Sequence, residues 1–485
     1  MIFIFLILSQ LDFEQAIQKI SRFSIDIRRR NLERVYQSQT LKHWLEEFNL
    51  SIHKQILRTN YLFMRLRWKI AVLISAAIAI SYLDRQTVPV AIAAIQRDIP
   101  ISNTQFSQLQ AAFLVAYALM YVGGGRLLDA VGTRLGFVLI MLWWSLACAA
   151  HGLARGFGAL LVCRFLLGVG EGGGFPAATK AVAEWFPIRE RSLVMGIINA
   201  GTAVGAVVAP PGIAVIILTA NWRWVFVAVG GLGLIWVLVW WWMYFPASEN
   251  RMLSVAEREE IREVISDPSG ENASLSWFRL FSFREVWGLV FAKFLSDAAW
   301  YFYLFWLPKY LYDVRGFDTK KVGYYAWIPY AAAGIGCLVG GWFSGWLIGQ
   351  GRSLSFARKT ALGASAAVMP LIVFVPHTPV ELAIVIFSIA FFGQQSWSTL
   401  IMIVPADLFP RHIVGSVAGL VGFGGSMGGV VFGLVVGYLL DHGFGYATVF
   451  AIVSTFHVAA FCLILITIRR VQPLVAAERH SMLTA

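Results

Sequence analysis

The sequence predicts an all-α membrane protein with twelve transmembrane helices in two related six-helix halves. Three observations support this class. Of the 485 residues, 58% are hydrophobic and only 14% are charged, long apolar stretches recur along the chain, and patterns of the first half return in the second. Soluble proteins carry about 25% charged residues, and one crossing of the hydrocarbon core takes about 20 apolar residues. A water-soluble domain is therefore excluded.

Twelve apolar stretches follow Trp68, six on each side of a polar interval. They lie near residues 70–92, 105–128, 135–153, 157–181, 192–216, 223–245, 284–311, 322–348, 360–376, 380–403, 414–438 and 444–468. The interval is rich in Glu and Arg, a composition typical of a solvent-exposed linker with a short charged helix. The predicted units are an N-terminal six-helix bundle, a cytoplasmic linker, a C-terminal six-helix bundle and a cytoplasmic tail, at residues 64–245, 246–283, 284–470 and 471–485.

Residues 1–63 do not share this pattern. They contain nine Lys and Arg against six acidic residues, and the apolar run that ends at Leu8 is too short to span a bilayer. That run also lacks the basic start and the small-residue cleavage site of a signal peptide. We expect translation to begin at Met64, which leads directly into the first span.

The two halves repeat each other at a nearly constant offset. Residues 184–187 (EWFP) recur 223 positions later as residues 407–410 (DLFP), and Gly125 opens a loop whose counterpart begins near Gly341. Parallel six-helix repeats are typical of one large class of transporters, in which the substrate site lies between the halves near the middle of the membrane.

The net charge of +12 does not indicate nucleic-acid binding, because the basic residues are spread over short connections. Lys and Arg follow the second, fourth, eighth and tenth spans, whereas the connections after the ninth and eleventh spans have none. The positive-inside rule then places both termini in the cytoplasm. The loop after the seventh span departs from the rule, since it carries Arg315, Lys320 and Lys321.

Charged residues within spans are the main functional candidates, because they are costly in hydrocarbon and usually face a cavity. Asp84 and Arg85 lie in the first span; Arg164 and Glu171 lie seven residues apart, on one face of the fourth. One interpretation is a structural network in which these charges neutralise each other. The other is a transport site, in which an arginine grips a carboxylate at two points while a buried acid takes up a proton.

The second half offers polar but uncharged groups at the equivalent place. The 223-residue offset relates Glu171 to Gln394, which is followed by Gln395 and Trp397. Amides and an indole suit a polyhydroxylated substrate, although interhelical hydrogen bonds and packing are the alternative. Tyr82, Tyr117 and Tyr121 are candidate hydroxyl contacts in the same sense.

The seventh span carries two further charges. Asp297 is a candidate gate or site residue, and Lys293 lies near enough to the end of the span to snorkel towards the membrane surface. His457, in the last span, is predicted to be a hydrogen-bonded helix residue.

Enzymatic sites are not indicated. The chain has no Walker loop, GxSxG or HExxH motif, its four cysteines form no CxxC pair and its eight histidines form no metal-ligand pair. We therefore expect no catalytic residue, metal or cofactor.

Residues 125–134 (GRLLDAVGTR), between the second and third spans, resemble the signature loop of the major facilitator superfamily. The resemblance implies the major facilitator fold and a cytoplasmic latch between the halves, here Gly125, Asp129 and Arg134. The second half departs from the signature, because Gly345 stands where an acid is expected.

Within that superfamily, residues 82–85 (YLDR), Arg164 with Glu171 and residues 184–187 resemble the anion:cation symporters, which are proton-coupled carriers of organic anions. Residues 297–316, 393–398 and 405–410 are similar to the hexuronate branch, whereas Gly422 departs from the asparagine of galactonate-type relatives. The resemblance implies protonation at Asp84 and Glu171, substrate or coupling roles for Arg85 and Arg164, and substrate contacts at Tyr82, Tyr117, Gln394, Gln395 and Trp397.

The sequence thus predicts a monomeric proton symporter of the bacterial inner membrane that imports a hexuronate such as glucuronate or galacturonate. The alternatives are a symporter of another organic anion (an aldonate, glucarate or an aromatic acid) and a non-transporting membrane sensor. A sensor is expected to carry a sizeable signalling appendage, and the tail after Arg470 is short.

Overall fold

A computed structural model of the protein describes residues 65–472, with gaps at 187, 248, 251–252, 254, 261–279 and 410. Residues 1–63 with the expected start at Met64, most of the expected linker and nearly all of the expected tail lie outside the described residues. Each of the twelve apolar stretches coincides with one helix or one pair of consecutive helical segments, as the sequence predicts.

The first half contains six long helices. They are α1 (Leu66–Asp98), α2 (Asn103–Val131), α3 (Thr133–Ala150), α4 in two segments (Phe157–Glu171 and Gly174–Trp185), α5 (Ile188–Thr219) and α6 (Trp222–Met243). A short linker helix, Val255–Glu260, follows. It contacts the first half, because the Glu257 carboxylate accepts hydrogen bonds from the amides of Leu66 and Arg67 at the start of α1, at 3.3 and 3.0 Å.

The second half repeats this arrangement. Its helices are α7 (Arg284–Asp313), α8 in two segments (Thr319–Tyr325 and Trp327–Gly349), α9 (Leu354–Ala367, extended by the 3-10 helix Met369–His377), α10 (Val380–Leu408), α11 (Arg411–Asp441) and α12 (Gly445–Thr467). By length and composition, ten helices in the described part of the chain are able to cross a membrane. The other two members of the bundle, α2 and α7, are 29 and 30 residues long.

Local sequence explains where several helices begin. At the start of α2 the Ser102 hydroxyl accepts a hydrogen bond from the Gln105 amide at 3.1 Å, and the Gln105 side chain accepts one from the Ser102 amide at 3.0 Å. This reciprocal pair satisfies two amides that a helix start leaves free. The turn between α2 and α3 needs a residue with positive φ, and Gly132 adopts φ +79° there.

Glycines bring helices into backbone contact at matching places in the two halves. A Cβ on Gly205 of α5 would collide with the Ala79 carbonyl of α1, and a Cβ on Gly428 of α11 would collide with the Phe294 carbonyl of α7. The two glycines are 223 residues apart. Small residues permit such close approach of membrane helices, so the repeat seen in the sequence is also a repeat of helix packing.

The halves meet most closely at one end of the bundle, which we call the Asp98 end because α1 ends there. Five hydrogen bonds between described residues join the halves, and each lies between Gln86 and this end. The Gln86 amide donates to the Leu304 carbonyl at 3.2 Å and to the Tyr330 hydroxyl at 3.0 Å. The Tyr312 hydroxyl donates to the Val90 carbonyl at 2.8 Å.

The remaining two hydrogen bonds join the first turn of a helix in one half to a side chain of the other half. The amides of Asn103 and Thr104, the first two residues of α2, donate to the Asp441 carboxylate of α11 at 3.0 and 2.7 Å. A carboxylate is favourable at a helix N-terminus because the free amides carry partial positive charge there. The bundle is therefore closed at the Asp98 end.

Candidate functional site

The charged residues predicted from the first and fourth spans come together in the interior of the first half. Asp84 and Arg85 lie near the middle of the 33-residue α1 and are 1% and 2% exposed. Arg164 and Glu171 face them from α4. This helix packs closely against α2, because Gly168 and Gly172 lie directly against the Phe113 and Tyr117 carbonyls. The glycine-rich stretch of α4 thus positions Glu171.

Glu171 is the centre of a buried ion pair. The Arg85 Nε donates to Glu171 Oε2 at 2.8 Å, and the Ser81 hydroxyl donates to the same oxygen at 2.6 Å. The other carboxylate oxygen, Oε1, and the Arg85 Nη2 are both buried without a hydrogen-bond partner. Because buried polar groups are normally paired, these two atoms indicate a site with unused hydrogen-bonding capacity.

Arg164 has even more unused capacity. Its Nη2 donates to the Gln110 side-chain oxygen at 3.1 Å and, with a longer contact of 3.5 Å, to the Arg85 carbonyl. Its Nε and Nη1 are buried and have no partner. Arginine presents its donors as a planar fork that matches a carboxylate, so Arg164 can accept an anion here.

Aromatic rings enclose the Arg85 guanidinium. Its central carbon lies 4.6 Å from the ring centres of both Tyr82 and Tyr117 and 5.5 Å from that of Phe113. The Phe113 ring also lies 5.6 Å from the Arg164 guanidinium. Cation–π contacts of this kind hold a desolvated cation in place. Tyr121 extends the aromatic row, with its ring centre 5.9 Å from that of Tyr117.

Asp84 belongs to the same cluster but does not join the ion pair. Its Oδ1 accepts a hydrogen bond from the Cys148 thiol of α3 at 3.0 Å, and its Oδ2 is buried without a partner. The four charged side chains sum to zero when all are ionised. A bound monoanion therefore leaves one negative charge uncompensated unless one carboxylate is protonated.

The predicted residues of the second half lie in different surroundings. Gln394 is 1% exposed and its side-chain oxygen has no partner, whereas the Gln395 side-chain oxygen accepts from the Cys337 thiol at 3.5 Å. Trp397 is fully buried in the apolar core of the second half, edge to face with His457 at 5.6 Å. Neither ring nitrogen of His457 has a partner, so the predicted hydrogen-bonded histidine is wrong.

Lys293 and Asp297 form a buried charged pair inside the second half. The Lys293 ammonium donates to Asp297 Oδ1 at 2.8 Å and to the Ser398 hydroxyl of α10 at 3.2 Å. The prediction that Lys293 snorkels to the surface is wrong, because Asp297, one turn further along α7, neutralises the lysine inside the bundle. Asp297 stays a candidate gate residue.

The predicted latch residues lie at the opposite end from Asp98. Gly125 and Asp129 fall within the last turns of α2, and their side-chain contacts lie outside the described residues. The Arg134 guanidinium donates to the Trp241 carbonyl at 2.6 Å and lies 3.6 Å from the centre of the Phe245 ring. In the described residues, Arg134 is therefore bound to α6 and the segment after it.

A carboxylate organises the same end of each half. Glu184 accepts hydrogen bonds from the Thr133 hydroxyl at 2.5 Å and from the Tyr244 hydroxyl at 2.6 Å. Burial and the adjacent Glu184 carboxylate raise the pKa of Tyr244 well above its usual value. In the second half Asp407, the repeat partner of Glu184, accepts from Arg358 Nε at 2.8 Å. The repeated motif thus anchors each half at this end.

The sequence did not identify Gln110 and Cys148, which form hydrogen bonds with the charged cluster, or Gln86, which forms hydrogen bonds with the second half. Gln110 and Gln86 are polar residues within apolar helices, a signal that a search limited to ionisable groups leaves out. Cys148 gives no such signal, because cysteine is common in apolar helix interiors. Among the described residues, no group of three His, Cys, Asp or Glu side chains is arranged to hold a metal.

The architecture and the buried cluster together define a membrane transporter rather than an enzyme. The sequence profile of the Major Facilitator Superfamily matches residues 74–433, and the chain belongs to that superfamily. The fold agrees with a bacterial homolog of the human lysosomal transporter Spinster in an inward-facing and occupied conformation, with a TM-score of 0.67 and 17% sequence identity over 83% of this chain and 97% of that chain.

Curated relatives are more similar in sequence. The hexuronate transporter of Escherichia coli (strain K12) is 31% identical over 426 residues, covering 86% of this chain and 97% of the relative. The D-galactonate transporter of Escherichia coli O6:H1 is 30% identical, over 80% of this chain and 93% of the relative. The galacturonate transporter of Dickeya chrysanthemi is 33% identical, over 57% and 81%.

Proposed function

We propose that this transporter imports a sugar-acid anion, with a hexuronate as the preferred substrate, by proton symport. The observation that carries the proposal is the pair of unpartnered Arg164 donors, Nε and Nη1, beside a buried and electrically neutral set of charges. Either donor can bind a carboxylate oxygen. The names of the relatives from Escherichia coli and Dickeya chrysanthemi supply the sugar-acid class.

Glu171 is the coupling residue in this mechanism. While it is ionised, it holds Arg85 through the 2.8 Å ion pair. Protonation of Glu171 weakens that pair and leaves the Arg85 guanidinium free to share the incoming carboxylate with Arg164. The net charge of the site is then the same with proton and anion bound as it is with neither, which avoids the cost of an uncompensated buried charge.

The hydroxyl groups of the sugar acid contact the uncharged side of the site. Tyr82 and Tyr117 line the first half, and Gln394 and Gln395 supply amides from the second half. Trp397 contributes indirectly in this arrangement, because its ring packs α10 against His457 of α12. A substrate that bridges the halves favours their closure around it, which is the basis of alternating access.

We assign the Asp98 end to the outside of an inner membrane and both termini to the cytoplasm, following the charges of the loops. The five hydrogen bonds that close the Asp98 end then separate the site from the outside. Release of Gln86 from Leu304 and Tyr330, and of Asp441 from α2, opens the site to the outside. The protein acts as a monomer, because each chain contains both halves of the site.

The deciding experiment measures uptake of radiolabelled sugar acids into vesicles containing the purified protein, with an imposed pH gradient. We expect accumulation of glucuronate or galacturonate above the external concentration only when the outside is acidic. Glu171→Gln is expected to abolish this accumulation while exchange of labelled for unlabelled substrate continues. Glu381→Gln, an exposed site on α10, is the matched control. Accumulation by Glu171→Gln equal to that of the wild type excludes Glu171 as the coupling residue.

An aldonate is the second candidate substrate, because the D-galactonate transporter is 30% identical to this chain. Uronates and aldonates share the carboxylate and differ in ring formation. Competition of galactonate and glucarate against labelled glucuronate separates these substrates. Stronger inhibition by galactonate than by unlabelled glucuronate reassigns the protein to aldonates.

A further inference from the structure

The two acids of the charged cluster are stabilised to different extents. Glu171 accepts hydrogen bonds from a hydroxyl and a guanidinium, at 2.6 and 2.8 Å. The Asp84 carboxylate has one hydrogen-bond partner among the described residues, the Cys148 thiol at 3.0 Å. Its Oδ2 is buried and unpartnered, and Asp84 and Cys148 are 1% and 0% exposed.

Cys148 has two acceptors within reach. Its sulfur lies 3.0 Å from Asp84 Oδ1 and 3.7 Å from the Phe226 carbonyl of α6. A thiol carries a single weak donor, so the S–H group serves one acceptor at a time. It serves Asp84 while the carboxylate is ionised. Once Asp84 has bound a proton, the carboxyl group needs no donor and the S–H can turn to Phe226.

We propose that Cys148 is a positioning residue that sets the balance between the ionised and protonated forms of Asp84, and through it the pH of half-maximal transport. The proposal rests on the proton symport proposed above. A thiol is a weaker donor than a hydroxyl. Cys148 therefore stabilises ionised Asp84 less than a serine at this position and more than an alanine. An intermediate donor keeps Asp84 able both to take up and to release a proton.

The other groups near Asp84 are the same in every Cys148 variant. Arg85 of α1 and Arg164 and Glu171 of α4 act on Asp84 electrostatically, and α6 contributes the Phe226 carbonyl. His151, which directly follows the last residue of α3, is buried, donates from Nδ1 to the Ala147 carbonyl at 2.8 Å and stacks on Phe226. A change at residue 148 thus alters one hydrogen bond to Asp84 within a fixed set of charges.

The test compares Cys148→Ser and Cys148→Ala in the full-length protein, by uptake of radiolabelled glucuronate into vesicles over a series of external pH values. In this proposal Asp84 takes up the proton before it passes to Glu171, so each import cycle requires Asp84 to be protonated once. The hydroxyl of Cys148→Ser stabilises the ionised form, so the pH midpoint moves to more acidic values. Cys148→Ala removes the donor and moves the midpoint to more alkaline values. Each shift is about one pH unit, the size expected for a hydrogen bond to a charged group.

Opposite shifts distinguish this role from a packing role, which predicts lower rates in both variants with unchanged midpoints. Cys462→Ser and Cys462→Ala, at an exposed position of α12, are the controls and should leave the midpoint unchanged. If uptake by a variant is too slow, the pH dependence of glucuronate binding to the purified protein gives the same midpoint.

The outcomes separate this inference from the proposed function. In one outcome, the wild type accumulates substrate in response to pH while both Cys148 variants keep the wild-type midpoint or shift in the same direction. That result overturns the role of Cys148 and leaves proton symport intact. Wild-type exchange of glucuronate without any pH-driven accumulation overturns both.

Discussion

The two halves of this transporter share a scaffold but not a chemistry. Gly205 and Gly428, 223 residues apart, make the same backbone contact in each half. The interior of the first half carries four charged side chains near the middle of the bundle. The second half carries the amides of Gln394 and Gln395 on α10 and a single charged pair, Lys293–Asp297, on α7. Helix packing is thus retained across the repeat, and the site residues are free to differ.

The chemical difference predicts different kinds of defect from substitutions in each half. Charged groups without a partner are much more costly in a buried site than neutral ones. Changes in the first half should therefore remove coupling or binding. Changes at the amides of the second half should reduce affinity modestly.

Arg164→Lys is expected to have the largest effect on binding. Lysine keeps the charge but loses the two-point grip on a carboxylate, so glucuronate affinity should fall by about 100-fold, as for a broken buried charge-assisted pair. Isothermal calorimetry on the purified protein measures this loss. Arg223→Lys, in the partly exposed pair with Asp98, is the matched control. An affinity within threefold of the wild type would remove Arg164 from the site.

The shared scaffold predicts equal defects at equivalent positions. Gly205→Ala and Gly428→Ala each place a methyl group against a backbone carbonyl that cannot move freely. Overpacking of this kind costs about 1–3 kcal/mol, and both variants should unfold at lower temperature in detergent. Gly433→Ala, where a Cβ meets nothing within 4 Å, should keep the wild-type midpoint. A defect confined to one half would show that the two packing contacts are not equivalent.

Gln394→Ala is expected to give the smallest effect. The side-chain oxygen of Gln394 has no partner in the protein, so its loss breaks no hydrogen bond of that oxygen within the protein and removes a proposed contact to the substrate. One neutral hydrogen bond is worth about 1 kcal/mol, which corresponds to a roughly fivefold higher KM for glucuronate uptake with an unchanged pH midpoint. Gln350→Ala, at an exposed position after α8, should leave KM unchanged. A shift of the pH midpoint in Gln394→Ala would contradict the assignment of proton coupling to the first half and of uncharged substrate contacts to the second.

The sequence predicted the spans and the charged cluster because both depend on one strong effect, the cost of polar groups in hydrocarbon. Asp84, Arg85, Arg164 and Glu171 are conspicuous against apolar neighbours, and the structure brings all four together. The assignment of their individual roles stays a prediction. The cost of a polar group in hydrocarbon can be read from the sequence of a single helix. It does not indicate which side chains from other helices contact that group.

Partners from other helices explain what the sequence did not predict. Gln110 and Cys148 contact the cluster through the folding of α2 and α3, which no local pattern encodes. The 223-residue offset predicts the level of Gln394 but not the direction of each neighbouring side chain, and Trp397 lies in the core of its own half. Lys293 was expected at the surface because a lysine near a helix end usually snorkels, but Asp297 neutralises it within the bundle.

The contact between Asp441 and the first turn of α2 provides a natural reporter of the transport cycle. The amides of Asn103 and Thr104 are bonded to a carboxylate of the opposite half, so separation of the halves at this end exposes both to water. Their rate of hydrogen–deuterium exchange therefore measures how often the entrance at the Asp98 end opens. A substrate that holds the entrance shut slows this exchange, and no label or cysteine substitution is needed to observe it.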